Sequence, residues 1–201
     1  MSLCLADCLL MNGKVDCVDL RKRFTMWNSY GYNNGFRFDE TRNKLGGKSS
    51  IGLGGNISMS LMEFRMSGFK SEATSAGNEY TSGNGSIMRL APLPIFYHDA
   101  DLATLTNEAE KQSKTTHQGM EASDCCKILA FVVASAISQG DHLEELLQEE
   151  EEKSVPVSRK FLDSLDFNKI VPYLETDGGK HLALSKCVNF DTWIPDHFNK
   201  L

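Results

Sequence analysis

The stretch that most limits what this chain can fold into runs from Glu121 to Gly140. Ala122, Ile128, Leu129, Phe131, Val132 and Ala136 put apolar groups on most sides of one helical wheel, and no proline interrupts them before Gly140. A helix that is apolar nearly all round has to be wrapped by other elements. The chain therefore needs a central helix with further helices packed about it. At 201 residues it is long enough to bury such a core. No stretch alternates strongly enough to demand a sheet, and no internal repeat is evident, so the expected fold class is all-α.

The surrounding helices can be read in order. Leu3, Leu5, Ala6, Leu9 and Leu10 recur at helical spacing, and Gly13 is a natural stop. Asp16 can cap a second helix through Leu20, Phe24 and Trp27 to about Tyr30, with Arg21, Lys22 and Arg23 on its wet side. A polar, glycine-rich connection from Gly31 to Gly55 leads to Asn56, which reads as the cap of a helix ending near Gly68. Ile87, Met88, Leu90, Ala91 and Leu93 predict a buried helix kinked by Pro92 and Pro94. Asp99 or Asp101 caps the next helix, to about Lys114, and Thr115 to Gly119 makes a short break before the central helix. An acidic helix follows, from Leu143 into Glu149–Glu152. Ser154-Val155-Pro156 then reads as a linker, dividing an expected helical domain at 1–153 from a C-terminal segment at 154–201. In that segment Phe161 to Leu174 can form one or two short helices.

Composition matters mainly for what it excludes. The net charge of −6 argues against a nucleic-acid backbone as partner. No apolar run reaches the roughly 20 residues of a membrane span. Residues 1–11 lack the basic start and small-residue cleavage pattern of a signal peptide. The six cysteines include no Cys-x-x-Cys pair, so buried free thiols in a reducing, cytoplasmic compartment are expected, and a zinc site is not.

The chemistry-bearing stretch is Thr81-Ser82-Gly83-Asn84-Gly85-Ser86-Ile87-Met88-Arg89-Leu90-Ala91-Pro92. A Gly-Asn-Gly turn opening into a helix is either a plain turn or a place where unpaired N–H groups meet a phosphate or carboxylate. Arg89, the one charge in an apolar run, needs a carboxylate or carbonyl partner, or else reaches a ligand. Asn56 is either the helix cap or an amide facing a ligand. His117 sits just before the central helix, as a capping group or a functional one, and Asp124 could hold its imidazole or stabilise the helix start.

Taken together, Gly55-Asn56, Ser75-Ala76-Gly77, the Ser82–Pro92 string, and Thr115-Thr116-His117 with Glu121, Ala122 and Asp124 resemble the ADP-ribosylglycohydrolase (dinitrogenase-reductase-activating glycohydrolase) family over roughly residues 1–150. The resemblance implies a compact all-helical fold with two magnesium ions between helices. It also implies hydrolysis of the bond from the anomeric carbon of ADP-ribose to a modified side chain or another ADP-ribose. In that scheme Thr81, Ser82, Gly83, Asn84 and Gly85 cradle the diphosphate and distal part of the ligand. His117 contacts the ligand beside them, and Asn56 lines the same cleft. The implied partner is ADP-ribose or an ADP-ribosylated protein.

The sequence departs from the family in its acidic clusters. Neither the Thr-Asp-Asp-Thr run expected just before the opening Met1-Ser2-Leu3-Cys4-Leu5-Ala6-Asp7 nor the Asp-x-Asp-Thr run expected near the C-terminus is present, and Asp191-Thr192 offers a single Asp. A two-metal centre needs several convergent carboxylates. No metal ligand and no complete catalytic set are therefore assigned. The expectation is an internal fragment, truncated at both ends, whose magnesium-dependent activity is weak or absent alone. The alternative is a non-catalytic helical module that binds ADP-ribose or serves structurally.

Overall fold

A computed structural model describes residues 1–34, 53–78, 81–140 and 157–185, and among these there are helices and no strand. The acidic run, the linker at 154–156, Asp191 and most of the loop before Asn56 lie outside the described residues. Helix α1 (Ser2–Asn12) ends on Gly13, whose φ of 67° lets its N–H close back onto Leu9 O. Helix α2 (Cys17–Tyr30) is capped by Asp16, whose carboxylate accepts from Asp19 N. Helix α3 (Gly55–Met66) starts two residues earlier than the asparagine reading requires. Gly54 is the cap and Asn56 lies inside the first turn, with its amide free to point elsewhere.

The expected kinked helix from Ile87 to Leu93 is instead two short ones, α4 (Gly85–Met88) and α5 (Pro92–Phe96). Pro92 takes the start of α5, where its missing N–H costs nothing. The break frees Arg89 to turn inward while Met88 is left exposed. Helix α6 (Leu102–Lys114) is capped by Asp101, and α7 (Met120–Ser138) is the central helix. After it come α8 (Val157–Ser164), two 3₁₀ turns at Phe167–Lys169 and Val171–Tyr173, and α9 (Asp177–Ser185).

Helix α7 owes its central place to having two apolar faces. Cys126, Ala130 and Ala134 join one core with Leu5 and Leu9 of α1, Leu20 and Phe24 of α2, and Leu61 of α3. Ile128 and Phe131 join a second core with Phe161, Phe167, Ile170 and Leu174. Each buried leucine or phenylalanine here contributes about 2 kcal/mol relative to exposure. The second core is fastened by polar groups as well. Asp124 is fully buried and accepts from Glu175 N, Thr176 N and Thr176 Oγ1. Lys127, also buried, bridges Glu110 at 2.7 Å and Glu175 at 3.1 Å. Asp124 is thus committed to the C-terminal segment and does not hold His117. The cysteines at 4, 8, 17, 125 and 126 are free thiols.

Candidate functional site

A cleft of about 580 Å³ opens where α3, the turn into α4 and the segment before α7 meet, beside the start of α1 and Trp27 of α2. Its lining includes Gly54, Gly55 and Asn56 from the first turn of α3, Gly83, Asn84 and Gly85 from the turn, and Met88, Arg89 and His117.

The turn is held from below. Ser86 is fully buried, and its carbonyl accepts from Gln112 Nε2 while its hydroxyl meets Ser113 Oγ at 3.0 Å. That fixes α4 against α6 and leaves Gly83 to Gly85 facing the cleft. Gly85 is the position where close approach matters. A Cβ on Gly85 would lie 2.8 Å from Ile57 Cδ1 and 3.2 Å from His117 Cε1. A Cβ on Gly83 would lie 3.5 Å from His117 Nε2. Asn56 Nδ2 donates to Thr81 O at 3.3 Å, tying the first turn of α3 to the turn opposite.

His117 is set by its neighbour: Thr116 Oγ1 meets Nδ1 at 2.8 Å, and the ring's other edge turns to Gly83 and Gly85. Burial, helped by the nearby Arg89 charge, lowers its pKa to about 4, so the imidazole is neutral near pH 7. It can offer a hydrogen bond or a flat face to a ligand but no charge.

Arg89 is where reading the sequence fell short. It is 2% exposed and has no carboxylate within ion-pair distance among the described residues. Its Nε donates to Gln112 Oε1, and its Nη2 donates to Gln112 O and Thr115 Oγ1. Of the partners the sequence left open, the structure supplies a carbonyl, Gln112 O, rather than a carboxylate, with the face of Phe24 4.7 Å from the guanidinium carbon. The one signal in the sequence was a lone charge in an apolar run.

Not all of the turn reaches the cleft. Thr81 closes its own small loop, with Oγ1 accepting from Asn78 N at 2.7 Å and donating to Asn78 Oδ1. Ser82 Oγ is buried against Gly119, where a Cβ would come within 2.1 Å of it. These two residues shape the turn, while Gly83, Asn84, Gly85, Asn56 and His117 line the space. Trp27, Leu53 and Ile57 line it too, and nothing in their spacing marked them beforehand.

Among the described residues no carboxylate lines the cleft, and no group of three or more His, Cys, Asp or Glu side chains converges as a metal site. These residues do not fit a two-magnesium centre, which needs several oxygen donors around each ion. No described helix is long and apolar enough to cross a membrane.

The ADP-ribosylarginine hydrolase Tri1 of Pseudomonas putida (strain GB-1) is 35% identical over 153 residues, covering 73% of this chain and 36% of that protein. The ADP-ribosylarginine hydrolase Tri1 of Serratia proteamaculans (strain 568) is 29% identical over 137 residues, 66% of this chain and 32% of that protein. The chain thus spans about a third of the length of these curated relatives. A sequence model of the ADP-ribosylglycohydrolases matches residues 1–178, from the start of α1 into α9, and the chain belongs to that family.

Proposed function

We propose that the cleft binds the ADP-ribose part of an ADP-ribosylated substrate, ADP-ribosylarginine being the form named in the relatives. The observation that carries this reading is the meeting of Gly83–Gly85, Asn56 and His117 on one cavity, with Gly85 packed so closely that a Cβ there would displace Ile57 and press on the His117 ring. Bare backbone lets a diphosphate or ribose approach N–H groups that a Cβ would screen. Neutral His117 adds a hydrogen bond or stacking face without repelling or attracting charge. A volume of about 580 Å³ is ample for part of a nucleotide sugar.

Hydrolysis in this family is proposed to depend on magnesium, whose donors the described residues do not provide. The 201-residue protein by itself is therefore proposed to bind ADP-ribose and to hydrolyse weakly or not at all. Its free thiols suit a cytoplasmic setting. Calorimetry of the purified chain with ADP-ribose tests the binding, and Gly85→Val should abolish it. Release of ADP-ribose from ADP-ribosylarginine, with magnesium and then with a chelator, tests the chemistry. Robust magnesium-dependent turnover would refute the inactivity, while absence of binding would leave the turn purely structural.

A further inference from the structure

We propose that Arg89 is the anion anchor of the cleft: its unneutralised guanidinium, beneath the floor, draws the phosphate groups of the ligand. The assignment of those phosphates to ADP-ribose rests on the function proposed above; the need for an anion does not. Arg89 lines the cleft, and its Nη1 is buried without a hydrogen-bond partner. Every group that touches the guanidinium is neutral: the Gln112 amide and carbonyl, the Thr115 hydroxyl and the Phe24 ring.

Two thiols lie near enough to matter electrostatically, and neither supplies a negative charge. Burial pushes Cys4 up to about 11 and raises Cys126, so both stay protonated at neutral pH. Burial also brings Arg89 down to about 10, which still leaves it charged. A buried cation with no counter-charge is costly to hold, and a ligand anion is the natural compensation.

A second feature points the same way. Helix α3 is 12 residues long, and its cap, Gly54, has no side chain to satisfy the first turn's N–H groups. Gly54, Gly55 and Asn56 line the same cleft as Arg89, so the positive end of the helix dipole adds to the arginine charge. With no carboxylate among the described lining residues, both features favour a di- or pyrophosphate.

The test uses inorganic pyrophosphate and ADP-ribose as probes in calorimetry, with the wild-type chain, Gln112→Glu, Gln112→Met and Arg89→Lys. Gln112→Glu places a carboxylate where Oε1 now accepts from Arg89 Nε at 2.9 Å; it also loses the Nε2 donation to Ser86 O, and folded Gln112→Met, which loses the same donation without adding charge, gives the baseline against which its loss is read. Beyond that baseline, Gln112→Glu should weaken both probes about tenfold or more, whereas Arg89→Lys, which keeps the charge, should retain most of the affinity. Circular dichroism confirms that each variant is folded. Pyrophosphate affinity in folded Gln112→Glu no lower than in Gln112→Met, equal losses in Gln112→Glu and Arg89→Lys, or no pyrophosphate binding by wild type would overturn the anchor. Wild type that binds pyrophosphate but not ADP-ribose would uphold the anchor and defeat the ADP-ribose reading. ADP-ribose binding that survives Gln112→Glu unchanged would do the reverse.

Discussion

Arg21 and Arg89 are both almost wholly out of water and both lie over a phenylalanine ring, yet only Arg21 has a counter-charge. Arg21 Nη2 meets Glu63 Oε2 at 2.9 Å, and its Nη1 donates to Ser71 and to Ala73 O. Glu63 in turn accepts from Thr74 Oγ1 and Ser75 N. This cluster pins the segment after α3 onto α2, and although Arg21 Nε, like Arg89 Nη1, has no hydrogen-bond partner, Glu63 neutralises the charge. Around Arg89 the acceptors are neutral and the space beyond is open. A buried charge that the fold itself neutralises is a fastener. A buried charge whose fold stops short of neutralising it is available to something else.

The largest expected effect belongs to the fastener. Glu63→Ala leaves Arg21 buried without a counter-charge and frees Thr74 and Ser75, at a cost of about 3 kcal/mol in urea unfolding. The low end of the range for buried pairs is chosen because the Glu63 side chain is 23% exposed. Pyrophosphate affinity should move by less than about twofold, since Glu63 does not line the cleft and distant sites act independently. A large loss of affinity with little loss of stability would erase the distinction between the two arginines.

A smaller effect tests whether the cleft side is shaped as tightly as the fastener side. Gly119→Ala brings a methyl within 2.1 Å of Ser82 Oγ and 3.0 Å of Thr81 C, and the second contact is backbone. The turn must shift, at about 1–3 kcal/mol of stability, and Gly83 to Gly85 should shift with it. ADP-ribose binding should weaken together with the melting temperature. Normal affinity in the variant would show that the cleft tolerates a displaced turn.

How much of this was legible beforehand depended on whether a residue's role was local. Gly13, Asp16 and Asp101 act within one turn of chain, and the structure uses them where capping rules place them. The central helix was legible because two-faced apolarity allows it no other position. Asn56 was misplaced by two residues, since Gly54 can cap without a side chain and leaves no polar signature. The break at Arg89–Ala91 was hidden because the apolar spacing runs on through it, while the buried partners that hold it, Gln112 and Thr115, lie on α6 and just beyond. The acceptors of Arg89 could not be named from a chain in which the nearest lies 23 positions away.

Acid should separate the two regions by the pH at which each gives way. In the cleft, His117 is held at about 4, below its ordinary 6.5, by burial and by the Arg89 charge. The unfolded chain takes up that proton first, so stability present above pH 6.5 is lost as pH falls toward 4. On the other side, burial opposes ionisation of Glu63, but hydrogen bonds from Arg21, Thr74 and Ser75 outweigh it and hold the carboxyl below 4.5. Glu110 behaves alike, with Lys114 and Lys127 overcoming burial and bringing it to about 2 from 4.5. Their stabilisation is intact above pH 4.5 and disappears as pH falls through the folded values. Urea unfolding from pH 7 to 3 should therefore show an early decline that His117→Gln removes and a later one that Glu110→Gln reduces. An early slope unchanged in folded His117→Gln would mean that His117 is not held neutral in the cleft. The positive charge facing a ligand there would then include His117.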